Sequence, residues 1–220
     1  MKSMTKTSLT AGHRACGCLL ALALWVLPVA AQAQQAPDKL VKDVANEVLR
    51  ALREDPELRS GSQTKMAELI EKKVAPHFDF ERMTRLAVGR NWREANDEQK
   101  KQLIEQFRQL LVRSYSAAYS AYKMIVIEVK PARLQPGDDD VQVKSEIKLP
   151  GGAPPVNVDY AMYKGDPEWK VYDVIVDGVS LVTTYRSTFA EEIRQSGIDG
   201  LIKSLREKNT LPLPAKKSQQ

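Results

Sequence analysis

The chain has very few side chains suited to covalent catalysis or metal binding: two cysteines and two histidines among 220 residues. Both cysteines, Cys16 and Cys18, and one histidine, His13, lie within the first 33 residues. The other histidine, His77, follows Pro76 and belongs to no recognisable catalytic constellation in the sequence. A histidine in that setting indicates a surface or helix-end position rather than a general base.

The first 33 residues have the pattern of a signal peptide. A basic segment containing Lys2, Lys6 and Arg14 precedes an uncharged apolar run over residues 15–31, and AQA at residues 31–33 is a signal-peptidase pattern. The alternative is an uncleaved anchor, but the run is shorter than the ~20 apolar residues of a membrane-spanning helix. We therefore predict cleavage after residue 33 and export of residues 34–220 as a single domain.

The mature chain is nearly neutral and lacks cysteine. It has 187 residues, a net charge of +2 and one histidine, which excludes disulfides, cysteine nucleophiles and multi-histidine metal sites. Basic residues are spread among acidic ones and form no stripe, so nucleic acid is not an expected partner. Phosphate-binding glycine loops and nucleophile elbows are absent, and the acidic residues 138–140 read as a turn rather than a calcium site. We expect a protein that is not an enzyme.

Hydrophobic periodicity predicts helices in the first half and strands in the second. Helices are expected over residues 38–53, 66–74, 79–88 and 96–122, the last opening with a capping box at NDEQ. Alternation and turn signals predict four strands, over residues 125–129, 141–149, 156–162 and 169–176, joined as an antiparallel meander. A helix over residues 179–195, a break at Gly197, a final short helix and a flexible tail from about residue 209 follow. The fold class is α+β: an antiparallel sheet of about four strands packed with several helices.

The sheet and the helices carry more aliphatic surface than chemistry, and two interpretations stay open. These residues fill a core, or the sheet stays open on one side and they line a groove for an apolar ligand. Periodicity alone does not separate the two.

Several motifs resemble the MlaC family of periplasmic phospholipid-binding proteins, also called the toluene-tolerance family. They are FDFERM at residues 78–83, Gly89, WR at 92–93, Gln99, FRQLL at 107–111, Tyr115, YDVIVDGVSLVTT at 172–184 and GIDGL at 197–201. The resemblance covers essentially all of the mature chain. It implies a periplasmic carrier without a cofactor, which holds phospholipid as cargo, with its acyl chains in a cavity between sheet and helices and its headgroup near solvent.

The resemblance also implies partners: an inner-membrane ABC transporter bearing a lipid-binding hexamer, and an outer-membrane lipoprotein–porin complex. Such a carrier would maintain the lipid asymmetry of the outer membrane. From it we predict these lipid-contacting residues: Leu103, Phe107, Leu111, Tyr115, Val143, Ile147, Val156, Val158, Tyr160, Val174, Val179 and Val182. Val179 follows a turn glycine, and the substitution Val179→Glu is expected to abolish lipid retention while leaving a folded protein.

Two alternatives fit the same fold class. One is an enzyme resembling nuclear-transport-factor-like folds, which would need an acid–base pair such as Asp159 or Asp173 with Tyr160 or Tyr172. The other is a periplasmic chaperone whose groove binds polypeptide. Lipid extraction from the purified protein separates the three.

Overall fold

The computed structural model describes residues 34–119 and 125–211. The predicted signal peptide, the predicted end of the long helix at residues 120–122 and residues 212–220 of the predicted tail lie outside the described residues.

The first half of the structure is helical, as the periodicity predicts. The helices are α1 (Pro37–Glu54), α2 (Pro56–Ser60), α3 (Gln63–Lys73), α4 (Phe80–Val88) and α5 (Asp97–Tyr119), with 3₁₀ turns at Ala75–His77 and Gly89–Arg93. The predicted capping box is confirmed: the Gln99 backbone N–H donates to Asn96 Oδ1 at 2.8 Å, and the Asn96 N–H donates to Gln99 Oε1 at 3.0 Å. The helix α2 is an addition, because Asp55 both ends α1 and caps a new turn by accepting from the Glu57 N–H.

The second half is an antiparallel meander, so the predicted α+β class is confirmed. Its strands are β1 (Val126–Val129), β2 (Asp140–Lys148), β3 (Val156–Lys164), β4 (Trp169–Val176) and β5 (Val179–Ser180), in the order β1-β2-β3-β4-β5. The fifth strand replaces the predicted start of a helix. Asp177 and Gly178 have positive φ angles of 47° and 84°, and this two-residue turn brings Val179 back to pair with Val176.

A bulge in β4 explains why that strand is apolar at both odd and even positions. Met162 of β3 pairs with Val171, whereas Tyr160, two residues earlier, pairs with Val174 instead of with the residue next in alternation. Because β4 has one extra residue between these two pairs, Val171 and Val174 point to the same face of the sheet although they are three residues apart. Apolar side chains on both sides of the bulge therefore share the inner face of the sheet.

The last helix, α6 (Leu181–Thr210), is interrupted at Gly197, whose φ is 73° and ψ is −178°, in agreement with the predicted break. Its first turn is held by Asp173, which accepts from the Val182 N–H at 3.1 Å. At its other end Asn209 Nδ2 donates to the Gln106 carbonyl at 2.9 Å. Asn209 and Thr210, placed in the predicted tail, thus belong to α6.

The buried side chains form three clusters. One lies among α4, α5 and α6 around Phe107, a second between α1 and the sheet around Val143, and a third among α2, α3 and α5 around Met66. No helix within the described ranges combines the length and the apolar character needed to cross a bilayer.

Candidate functional site

An apolar cavity of about 390 Å³ lies between the inner face of the sheet and the helices α1, α3, α4 and α5. This volume is within the range of small-molecule sites. The wall consists of Val41, Ala45, Val48, Ile70, Val74, Ala75, Phe78, Phe80, Met83, Leu111, Val112, Tyr115, Ile125, Ile127, Ile147, Leu149, Val156, Val158, Tyr160, Val174, Val176 and Leu181. None of these side chains is charged, and only the two tyrosines carry a polar group. The wall offers an apolar ligand close packing rather than acid–base chemistry.

Cross-strand pairing builds the sheet side of the cavity. Ile147 pairs with Val156, Val158 with Val176 and Tyr160 with Val174. Directly opposed residues in an antiparallel pair point to the same face, so these pairs form a continuous apolar surface. Five of the predicted lipid-contacting residues lie on it: Ile147, Val156, Val158, Tyr160 and Val174.

The helical side of the cavity combines predicted and unpredicted residues. Leu111 and Tyr115, both predicted, are four residues apart on α5 and line the cavity together. The α1 residues Val41, Ala45 and Val48 also line the wall, although the sequence predicted only that they lie in a helix over residues 38–53. No local sequence pattern marked these three residues as part of a cavity wall.

The segment between α3 and α4 also contributes to the wall. Phe78 and Phe80 stack with ring centres 5.8 Å apart and with planes inclined by 20°. The backbone N–H of Asp79 donates to the Val171 carbonyl at 2.8 Å, which fixes this segment against β4. The FDFERM motif therefore positions two aromatic rings at the cavity.

Four predicted residues lie in the filled core instead of on the cavity wall. Leu103, Phe107 and Val182 are buried in the cluster formed by α4, α5 and α6, and Val143 lies in the cluster between α1 and the sheet. The Phe107 ring contacts the rings of Tyr185 and Phe189 edge-on, with centres 4.9 and 5.1 Å away. The first turns of α5 thus face α4 and α6, and only its later turns face the cavity.

Val179 lies at the rim of the cavity. Its side chain is 59% exposed and is not part of the wall. Because its cross-strand partner Val176 does line the wall, Val179 points to the same side of the sheet but beyond the enclosed volume.

The acid–base pairs required by the enzyme alternative are not assembled at the cavity. Asp159 accepts from Gln142 Nε2 at 2.8 Å, and Asp173 caps α6; neither carboxylate is part of the wall. The Tyr172 hydroxyl donates to Asp140 Oδ1 at 2.7 Å. Burial and this hydrogen bond raise the pKa of Tyr172 to about 12, so its hydroxyl stays protonated at neutral pH.

His77 takes part in a polar junction next to the cavity segment. Its Nδ1 lies 3.2 Å from Glu168 Oε1, and Lys170 Nζ donates to the same oxygen at 2.7 Å. Burial acts to raise the pKa of Glu168, but Lys170 and His77 outweigh it and lower the pKa overall. Among residues 34–119 and 125–211, no group of three or more His, Cys, Asp or Glu side chains is arranged to hold a metal ion.

Comparison with known proteins places this chain in a family. Residues 42–207 match the family model described as MlaC protein. The chain is 23% identical over 183 residues to the intermembrane phospholipid transport system binding protein MlaC of Haemophilus influenzae, covering 82% of this chain and 81% of the relative. It is 26% identical over 182 residues to a toluene tolerance protein of Pseudomonas putida, covering 82% and 83%.

A solved structure agrees with these relatives. The phospholipid-binding protein of Ralstonia solanacearum, determined in complex with a phospholipid, is 36% identical, with a TM-score of 0.74. The match covers 80% of this chain and 97% of that structure.

Proposed function

Because the chain belongs to the MlaC family, we propose that it binds a phospholipid by its acyl chains and carries it between the two membranes of the cell envelope. The observation that carries this proposal is the cavity itself, about 390 Å³ in volume with no charged side chain in its wall. The relatives named for phospholipid binding and transport support it. The aromatic pair Phe78 and Phe80 and the valine-rich face of the sheet would contact the acyl chains.

The energetics of acyl chains explain why such a carrier is needed. A chain of roughly 16 carbons, at about 0.8 kcal/mol per buried CH₂, loses on the order of 12 kcal/mol when it enters water. An apolar cavity removes most of that penalty, because it offers the chain surroundings similar to those of the bilayer. Transfer between membrane and carrier is then close to balance, and the direction of transport must come from partners.

The surroundings and partners of the carrier are part of the same proposal. The signal-peptide pattern in residues 1–33 supports a location in the periplasm. The partners would be an inner-membrane ABC transporter with a lipid-binding hexamer and an outer-membrane lipoprotein–porin complex. The protein would act without a cofactor and without catalysis, because its cavity presents only hydrocarbon, aromatic rings and two tyrosines to the cargo.

Extraction of the purified mature protein with organic solvent, followed by mass spectrometry, tests the proposal. We expect at least about one phospholipid molecule per protein chain. An extract without phospholipid, together with turnover of a small hydrophobic molecule, would favour the enzyme alternative. An extract without lipid and binding of unfolded polypeptide would favour the chaperone.

A further inference from the structure

A cluster of polar side chains lies behind the two phenylalanines of the cavity wall. Phe78 and Phe80 line the cavity, whereas Asp79 between them does not. The backbone of Phe78 is extended, with φ −105° and ψ 141°, so consecutive side chains at this point leave the chain on opposite sides. The carboxylate of Asp79 is directed away from the cavity, and its Oδ2 accepts from the Tyr163 hydroxyl at 2.6 Å.

Arg82 occupies the centre of this cluster. Its guanidinium carbon lies 4.4 Å from the ring centre of Tyr163 and 3.9 Å from that of Tyr172, distances at which a cation is attracted to an aromatic ring. Its Nη2 lies 3.4 Å from Asp140 Oδ2, and Asp140 Oδ1 accepts from the Tyr172 hydroxyl at 2.7 Å. The backbone N–H of Arg82 donates to Asp79 Oδ1 at 2.8 Å. We call Asp79, Arg82, Asp140, Tyr163 and Tyr172 the arginine clamp.

The arginine clamp joins the start of α4 to three strands. Asp140 is the first residue of β2, Tyr163 belongs to β3 and Tyr172 to β4. These strands are fixed relative to one another by their antiparallel pairing. The clamp therefore ties the start of α4, and with it the two aromatic rings of the wall, to the most regular part of the structure.

A second set of contacts holds the residues just before the clamp. Lys170 Nζ donates to the Pro76 carbonyl at 2.7 Å, and His77 Nδ1 lies 3.2 Å from Glu168 Oε1. These contacts fix the 3₁₀ turn at Ala75–His77. They do not reach the first turn of α4, which the arginine clamp holds.

The rings of Phe78 and Phe80 need support from behind because both border the cavity. Both side chains are half-buried. A side chain in a filled core is held by contacts on every side, whereas one that borders a cavity lacks partner atoms there. Phe78 also packs against both the cluster around Phe107 and the cluster around Val143. A displacement of its ring would change the boundary between the filled core and the cavity.

We propose that Arg82 is a positioning residue for lipid retention: through the arginine clamp it fixes Phe78 and Phe80 in the arrangement that packs against acyl chains. This inference rests on the proposed function, because it takes phospholipid as the ligand of the cavity. Loss of the guanidinium lets the two rings shift and opens gaps against the cargo. A gap of about 0.5–1 Å removes a quarter to a half of the dispersion energy of each contact. We expect phospholipid to dissociate about tenfold faster as a result.

Two arginine variants of the mature protein test this role. Arg82→Gln removes the cation between the tyrosine rings. Arg113→Gln is the matched control, because Arg113 of α5 is also half-buried and also joins two elements, by donating from Nη1 to the Asn209 carbonyl of α6. Arg113 belongs neither to the cavity wall nor to the clamp. Both variants should lose stability in urea titrations, but only Arg82→Gln should release a fluorescent phospholipid faster than the wild type.

A milder variant, Tyr163→Phe, tests the same clamp if Arg82→Gln does not fold. It keeps the ring beside Arg82 and removes only the hydroxyl that donates to Asp79. It should also release phospholipid faster than the wild type, by a smaller factor than Arg82→Gln. Release at the wild-type rate from Arg82→Gln, or from Tyr163→Phe where Arg82→Gln does not fold, would overturn the proposal. So would equal acceleration in Arg113→Gln, because the effect would then follow from lost stability alone.

Hydrogen exchange of the lipid-free proteins gives a readout that does not depend on lipid. The Asp79 N–H donates to the Val171 carbonyl at 2.8 Å. It should exchange faster in Arg82→Gln than in the wild type, and at the wild-type rate in Arg113→Gln. Unchanged exchange at Asp79 in Arg82→Gln would overturn the proposal, because the clamp would not then hold this segment. A wild-type protein that carries no phospholipid would instead contradict the transport proposal, and the exchange rates would still decide whether the clamp holds the wall.

Discussion

A single carboxylate at position 147 should weaken lipid binding strongly while changing the stability of the lipid-free protein little. The side chain of Ile147 is only half-buried and lines the cavity beside Val156. In the lipid-free protein, water can enter the cavity and hydrate the carboxylate of an Ile147→Asp variant. In the lipid-bound protein, that carboxylate would face acyl chains, and it escapes the cost of a buried charge by taking up a proton.

The expected loss of affinity follows from the cost of that proton. At pH 7 an aspartate with an ordinary pKa of about 3.9 pays about 4 kcal/mol to become neutral, and at pH 5 about 1.5 kcal/mol. Ile147→Asp should therefore weaken phospholipid binding by about a thousandfold at pH 7 and by about tenfold at pH 5. The penalty belongs to the lipid-bound state, so unfolding of the lipid-free variant should change much less.

The assay is equilibrium binding of a fluorescent phospholipid at both pH values, with urea unfolding of the lipid-free proteins alongside. Val126→Asp is the matched control, because Val126 is 61% exposed on β1 and lies outside the cavity wall. Ile147→Asn supplies a polar side chain that does not titrate, so its defect should not depend on pH. Wild-type affinity for Ile147→Asp at pH 7, or an equal loss at both pH values, would refute the reasoning.

Three other substitutions probe the rest of the structure. Phe107→Ala should lower the free energy of unfolding by about 3–5 kcal/mol in urea titrations, while the folded fraction of the variant still binds lipid. A loss of lipid binding without a loss of stability would show that Phe107 contacts the cargo. Val179→Glu, at the exposed rim, is expected to weaken lipid binding far less than Ile147→Asp does in the same assay, whereas the sequence alone predicted a complete loss of binding. A complete loss of lipid binding would show that Val179 contacts the lipid. Tyrosinate absorbance should show a Tyr172 pKa near 12, and a lower pKa in the Asp140→Asn variant. Because the raised pKa favours the neutral phenol in the folded state, the stability that it contributes is complete below pH 10 and is lost between about pH 10 and 12. Ionisation of Tyr172 near the ordinary pKa of about 10 would contradict the buried hydrogen bond.

Sequence periodicity predicted the sheet wall of the cavity better than the helical wall, for a physical reason. In an antiparallel strand, alternation assigns every second side chain to one face, so Ile147, Val156 and Val158 could be placed together before the structure was known. The spacing of the apolar residues along α5 does not indicate which of them face the core and which face the cavity. Phe107 and Leu111 lie one turn apart on α5 and are both buried in the cluster of α4, α5 and α6, yet only Leu111 also lines the cavity.

The remaining differences come from local geometry that alternation does not encode. The bulge after Val171 shifts the inward positions of β4 by one residue, which a strict period of two cannot represent. The positive φ angles of Asp177 and Gly178 turn the chain tightly enough to form β5, whereas the sequence pattern favoured a direct start of α6. The contribution of α1 to the cavity wall depends on how this helix packs against parts of the chain that are distant in sequence. No local sequence pattern contains that information.

Photo-crosslinking with a phospholipid that carries a diazirine on an acyl chain tests the central claim most directly. The mature protein is loaded with this lipid and irradiated, and the labelled residues are identified by peptide mass spectrometry. Acyl-chain labels should fall on wall residues such as Tyr115, Tyr160 and Leu181. Labels confined to the outer face of the sheet, or the absence of labels from the cavity wall in a lipid-loaded protein, would contradict the account.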